Sequence, residues 1–154
     1  MAEDGPERIV LSLNSGSSSL KFGLYQVGAA RIAMLLSGEA EAIGEKAGKF
    51  HARDGRGDTL ISEAADIPDE REAVIRIGRL LAKAKMPRPA VIGHRIVHGG
   101  PHLRQHCLID DTALRQLHAA SAFAPLHTPA ALSVIRFAQE HFPGLPQADR
   151  KSVV

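Results

Sequence analysis

The segment RIVLSLNSGSSSLKFGLY, residues 8 to 25, constrains the fold more than any other part of the chain. Two runs that alternate with a period of two flank a small polar linker. In the first, Ile9, Leu11 and Leu13 share one side and Val10, Ser12 and Asn14 the other. In the second, Leu20, Phe22 and Leu24 oppose Ser19, Lys21, Gly23 and Tyr25. Period-two alternation is strand geometry, and Ser15-Gly16-Ser17-Ser18 is turn composition. The segment therefore predicts a β-hairpin with one apolar face and one mostly polar face.

Downstream, short strands are expected near residues 31 to 38, 48 to 53 and 58 to 63, the last two joined by the turn DGRGD at 54 to 58. After Pro68, apolar Val74, Ile77, Leu81 and Ala84 recur at helical spacing. Asp69, Glu70 and Glu72 come early in this stretch, and Arg76, Arg79, Lys83 and Lys85 come late. Acids first and bases last complement the helix dipole, which predicts an amphipathic helix. PAVIGHRIV, from Pro89, is apolar and β-branched between prolines and Gly99-Gly100-Pro101, as in a buried central strand. Helix followed by strand implies a βαβ-like crossover.

Asp110 or Asp111 caps a helix expected to run to about Ser121, and Thr128 with Pro129 opens another. The apolar positions of the latter are Ala131, Val134, Ile135, Ala138 and Phe142, and the loop FAPLH joins the two helices. This order calls for one more strand, yet after Phe142-Pro143-Gly144-Leu145-Pro146 the chain reads QADRKSVV. The expectation is one α/β domain over residues 1 to 154 whose closing strand is missing.

Composition narrows the function classes. A chain of 154 residues that is 44% hydrophobic can build one core without disulfides or a structural metal. The single cysteine, Cys107, excludes a disulfide framework, a CxxC redox pair and a four-cysteine zinc site. It suits a reducing compartment, so the cytoplasm is expected. The opening MAEDGPERIV mixes acids with a base before any apolar run, unlike a signal peptide. No apolar stretch approaches the ~20 residues needed to span a bilayer, so no membrane partner is expected. Bases interleave with acids to a net charge of +2, Trp is absent, and only one Tyr and five Phe could stack on bases, so nucleic-acid binding has no support beyond a sequence pI of 8.9.

Three segments carry candidate chemistry. In the hairpin, Gly16 and the serines let backbone amides approach an anion, and parity places Ser19 and Lys21 on the non-core face with Asn14 and Ser12. A phosphate would find donors and one cation there; the other reading is a Ser/Gly turn with a solvated lysine. GSSSLK is not a Walker A loop, since it lacks the second glycine before Lys21 and runs into a strand, not a helix. In VIGHRIVHGGPH, residues 91 to 102, Arg95 sits among glycine and apolar residues. Such an arginine either pairs internally or grips an anionic substrate, because an isolated buried charge is costly. In FAPLHTP, residues 123 to 129, His127 lies just before a helix N-terminus, where anions are favoured, or else serves as a capping-region histidine.

Two other patterns are set aside. His94, His98, His102 and His106 recur every four residues, the helical spacing of a zinc pair, but Gly93, Gly99, Gly100 and Pro101 break any helix through them. Arg56-Gly57-Asp58 spells an adhesion tripeptide inside a turn-forming sequence, in a chain read as cytoplasmic.

Taken together and in order, VLSLNSGSSSLKFGLY, GHRIVHGG and APLHTPAAL resemble the acetate kinase family of acyl kinases, over about residues 8 to 147. The resemblance implies a ribonuclease-H-like α/β domain of the acetate kinase, sugar kinase and actin superfamily, a mixed sheet with helices. It implies that this chain corresponds to most of the N-terminal, acyl-substrate side, with the nucleotide-binding domain absent. The implied reaction is reversible transfer of the γ-phosphoryl of ATP to the carboxylate of acetate, giving acetyl phosphate and ADP, with Mg2+.

By position, Asn14 resembles the residue near the magnesium, Ser17 and Ser19 resemble phosphate contacts, and Lys21 the phosphate-binding lysine. Arg95 resembles the arginine that binds the substrate carboxylate, Val97 and Leu126 the apolar residues around its methyl group, and His127 an active-site-region histidine. The family's catalytic aspartate, on an FDTAFH-like strand, is replaced here by ADRKSVV, and Asp149 stands too early to substitute for it. A fragment of an acetate kinase, inactive alone, is therefore the expected function. Propionate kinase, or a silent module for phosphate or a short acid, is the alternative. A homodimer is implied for the full-length family.

Overall fold

In the computed structural model, residues 7–29, 31–96, 107–108 and 128–151 are described. Five strands come first: β1 (Arg8–Ser15), β2 (Leu20–Val27), β3 (Ile32–Glu41), β4 (Lys49–Asp54) and β5 (Thr59–Ala64). There follow α1 (Glu70–Lys83), β6 (Val91–Ile96), β7 (Cys107–Leu108), α2 (Thr128–His141) and β8 (Gln147–Lys151). All described strands join one sheet in the order β5-β4-β3-β2-β1-β6-β8-β7. The first five form an antiparallel meander, β6 and β8 add in parallel beyond β1, and β7 closes antiparallel to β8. The mixed sheet with helices expected from the sequence is present.

The alternation in residues 8 to 25 becomes the β1–β2 ladder, with Ser15 opposite Leu20 and Gly16 to Ser19 as the turn. In the DGRGD turn, Asp54 Oδ1 accepts from the backbone N–H of Arg56 at 2.9 Å and of Asp58 at 3.0 Å. Gly57 takes a φ of 89°, which a side chain would resist.

Asp69 caps α1 by accepting from the Glu72 N–H at 3.0 Å. Its apolar stripe, Ala73, Val74, Ile77, Leu80 and Leu81, is buried. Leu132, Val134, Ile135 and Ala138 of α2 are buried too. The two helices pack on each other, with the Arg71 guanidinium 4.8 Å above the Phe137 ring, and both lie on the same face of the sheet. There they cover Leu11, Leu13, Leu20, Phe22, Leu24, Leu36, Phe50 and Ile92. Phe22 and Phe50 stack with ring centroids 5.5 Å apart, next to Gly38, where a Cβ would meet His51 O at 2.3 Å and the Phe22 Cζ at 2.5 Å.

One expectation is corrected. The tail is not a strandless polar end: Gln147 to Lys151 form β8, paired in parallel with β6 through Ile92–Gln147, Gly93–Ala148 and His94–Asp149. A ladder is held by main-chain groups and tolerates polar side chains wherever these find partners. Gln147, 4% exposed, does so: its Oε1 bonds His94 Nε2 and its Nε2 donates to Ile135 O at 3.3 Å. The helix expected from Asp110 or Asp111 to Ser121, and the FAPLH loop, lie outside the described residues.

Candidate functional site

On the sheet face turned away from α1 and α2, cross-strand pairing draws side chains into rows. Asn14 of β1 stands opposite Lys21 of β2, Lys21 opposite Glu39 of β3, and Glu39 opposite His51 of β4. The next row is Gly93, Ser12, Gly23, Ser37 and Arg53. The expected grouping of Asn14, Ser12 and Lys21 on the non-core face is thus realised, and register adds that Asn14 and Lys21 are direct neighbours.

The turn that ends this face is held from two sides. The Gly16 N–H donates to Ser19 O at 2.8 Å, and the Ile43 N–H, just past β3, donates to Ser18 O at 2.8 Å. A Cβ on Gly16 would lie 2.7 Å from Ser19 Oγ, so the missing side chain is what lets that hydroxyl fold over the turn. Lys21 and Ser17 are exposed, while Asn14 and Ser19 are half-buried. Among the described residues Lys21 makes no ion pair. An ammonium without a carboxylate partner, next to an amide and two hydroxyls, is a surface suited to an anion rich in oxygen, such as a phosphate.

Arg95 lies in β6, the parallel neighbour of β1, and follows the Leu13–His94 pair as Asn14 follows Leu13. The backbone thereby brings Arg95 to the same end of the sheet as Asn14. Val97, Leu126 and His127 lie outside the described residues. Of the four periodic histidines His94 is described; it is buried on the helix side, with its Nε2 bonded to Gln147 Oε1. Arg56 and Asp58 are exposed turn residues.

Two groupings were not anticipated. The His94–Gln147 pair joins residues 53 positions apart, and nothing local in either segment announces it. The second is Glu39, Glu41 and His51, whose ligand atoms lie within 4.8 Å of one another. The i, i+2 spacing of the two glutamates was a legible signal, but the histidine opposite required the β3–β4 register.

Among the described residues, no helix is long and apolar enough to cross a membrane. The family model described as the acetokinase family matches residues 9–150. The acetate kinase of Campylobacter lari is 36% identical over 141 residues, which are 89% of this chain and 35% of that protein. The acetate kinase of Streptomyces coelicolor is 38% identical over 143 residues, covering 90% and 34%. Among solved structures, a propionate kinase from Francisella tularensis superposes with a TM-score of 0.83 at 33% identity, covering 94% of this chain and 36% of that one. The acetate kinase of Porphyromonas gingivalis superposes with a TM-score of 0.84 at 27% identity. The chain thus spans about a third of the length of these relatives, and with the family model matched over residues 9–150 and the solved relatives superposing at TM-scores above 0.8, the chain belongs to the acetokinase family.

Proposed function

We propose that this chain is the acyl-substrate side of an acetate kinase, a single incomplete domain of a cytoplasmic enzyme that moves the γ-phosphoryl of ATP reversibly to the carboxylate of acetate. The observation that carries the reading is the register pair Asn14–Lys21 beside a serine turn on the face away from the helices, in a chain of this family. Phosphoryl transfer of this kind relies on positioning and on neutralising charge, not on a protein nucleophile.

In this reading Lys21, Ser17 and Ser19 hold phosphate oxygens, and Arg95 takes the acyl carboxylate. Val97 and Leu126 border its methyl group, and His127 belongs to the same region. Asn14 offers a neutral amide oxygen, a hard donor suited to Mg2+, which takes one or two protein ligands and completes its shell with water and phosphate oxygens. When bound, the ion neutralises phosphate charge; Asn14 and Lys21 orient the same oxygens from the protein side. The remaining donors of the reaction are assigned to the two-thirds of the relatives that this chain does not span. Loss of a single donor aimed at transition-state charge costs about 2.7–4 kcal/mol. Phosphoryl transfer to acetate by the 154-residue chain alone is accordingly expected to be negligible.

The test has two arms. Acetyl phosphate titrated into the purified chain with Mg2+ should shift the backbone amide resonances of Gly16 to Lys21, and Lys21→Ala should abolish the response. Unmoved hairpin amides in the unaltered chain would overturn the phosphate assignment. In an acyl-hydroxamate assay with acetate and ATP the chain should give no product; product that disappears in Lys21→Ala would mean a complete site and overturn the partial-site reading. Propionate replaces acetate in a second reading, supported by the likeness to the Francisella propionate kinase. One methylene changes discrimination by only about 1–3 kcal/mol, so the same titration with propionyl phosphate decides between them.

A further inference from the structure

We propose that Glu39, Glu41 and His51 form a binding site for one divalent cation of the zinc type, separate from the Mg2+ assigned to Asn14 and independent of the kinase reading. Alternation along β3 turns Glu39 and Glu41 to the same face, and the β3–β4 ladder sets His51 directly opposite Glu39. The imidazole Nε2 lies 3.4 Å from Glu41 Oε2 and 3.9 Å from Glu39 Oε2.

Those separations are long for hydrogen bonds but close to the spacing of ligands around one ion. Zinc bonds nitrogen and carboxylate oxygen at about 2.0–2.2 Å, which puts tetrahedral ligands roughly 3.3–3.6 Å apart. Small side-chain rotations would bring all three atoms into the shell, and a water would complete it.

The alternative is a charge ladder, since Lys21 faces Glu39 and Lys49 faces Glu41 across the strands. Among the described residues, neither lysine comes within ion-pair distance of these carboxylates, which gather instead on the imidazole. All three side chains are half-buried, so the ligands are partly held in place yet open to an entering ion. An imidazole with two carboxylates favours zinc, cobalt or nickel over Mg2+ or Ca2+, which take oxygen sets.

The probe is Zn2+ alone, titrated into the 154-residue chain by calorimetry while the ring 15N resonances of His51 are followed by NMR. Expected are a shift of the His51 Nε2 signal that saturates with one equivalent of zinc, and a loss of affinity of about tenfold or more in both His51→Gln and the double variant Glu39→Gln/Glu41→Gln. Zinc uptake that leaves the His51 ring signal unmoved would place the metal elsewhere, for instance at the histidines and cysteine between 98 and 107, and overturn the proposal. So would equal affinity in folded variants, or no uptake at about millimolar zinc. The ring signal is read in the unaltered chain, so the test stands even where a variant fails to fold.

Discussion

On the sheet face that meets α1 and α2, Leu11, Leu13, Leu20, Leu24, Leu36 and Phe50 are sealed from water, whereas the same strands carry Asn14, Lys21, Glu39 and His51 on the other face, half-buried or exposed. Strand residues alternate sides, so a single stretch of chain supplies both faces at once. The helix-covered face is bound by close packing, in which every methylene has neighbours. Among the described residues no helix covers the other face, which frees its residue types for chemistry. Gly38 shows the contrast at one position: it sits among Phe22, Ala52 and the His51 carbonyl, where no side chain fits, one residue before Glu39, which reaches outward to His51.

This separation can be broken by substitution. Phe50→Ala removes a fully buried ring stacked on Phe22, and it should cost about 3–5 kcal/mol, read as a lower midpoint in urea unfolding. Gly38→Ala adds a single carbon where backbone oxygen and two side chains leave no room; about 3 kcal/mol of destabilisation is expected in the same experiment, and a neutral result would mean that the strands part easily. Gln147→Leu removes two buried hydrogen bonds, to His94 Nε2 and to Ile135 O, while leaving the β8 ladder intact. A loss of about 1–3 kcal/mol would show that the polar closing strand depends on these contacts. At the small end, Lys21→Ala should change stability by no more than about 0.5 kcal/mol, because the side chain is exposed and without an ion partner among the described residues. The same variant should lose the acetyl phosphate response, which would sharpen the division: one face for folding, the other for binding.

Much of this was legible in the residue order. Strong period-two and helical patterns located β1, β2 and α1, and the acid-to-base gradient after Pro68 matched the direction of the helix; its Asp69 cap was supplied by the structure. Parity alone put Asn14 and Lys21 on the non-core face. The closing strand was misread because QADRK has no apolar alternation, and its pairing depends on β6 some fifty residues earlier. The polar row was half legible: Glu39 and Glu41 share a parity, but which strand would lie beside them was not written in either segment.

What the sequence determined by itself is therefore local. Alternation, turn composition, capping and the three family motifs act within a few residues of one another, through side-chain geometry and backbone preference, and need no partner to be read. The tertiary structure alone decided which strands became neighbours: Asn14 beside Lys21 rather than merely on its face, His51 against two glutamates, His94 against Gln147, and a polar pentapeptide drawn into the sheet. The reason is physical. Register is set by the sheet burying its apolar side under α1 and α2, and that burial is a property of elements brought together from distant parts of the chain, not of any one of them.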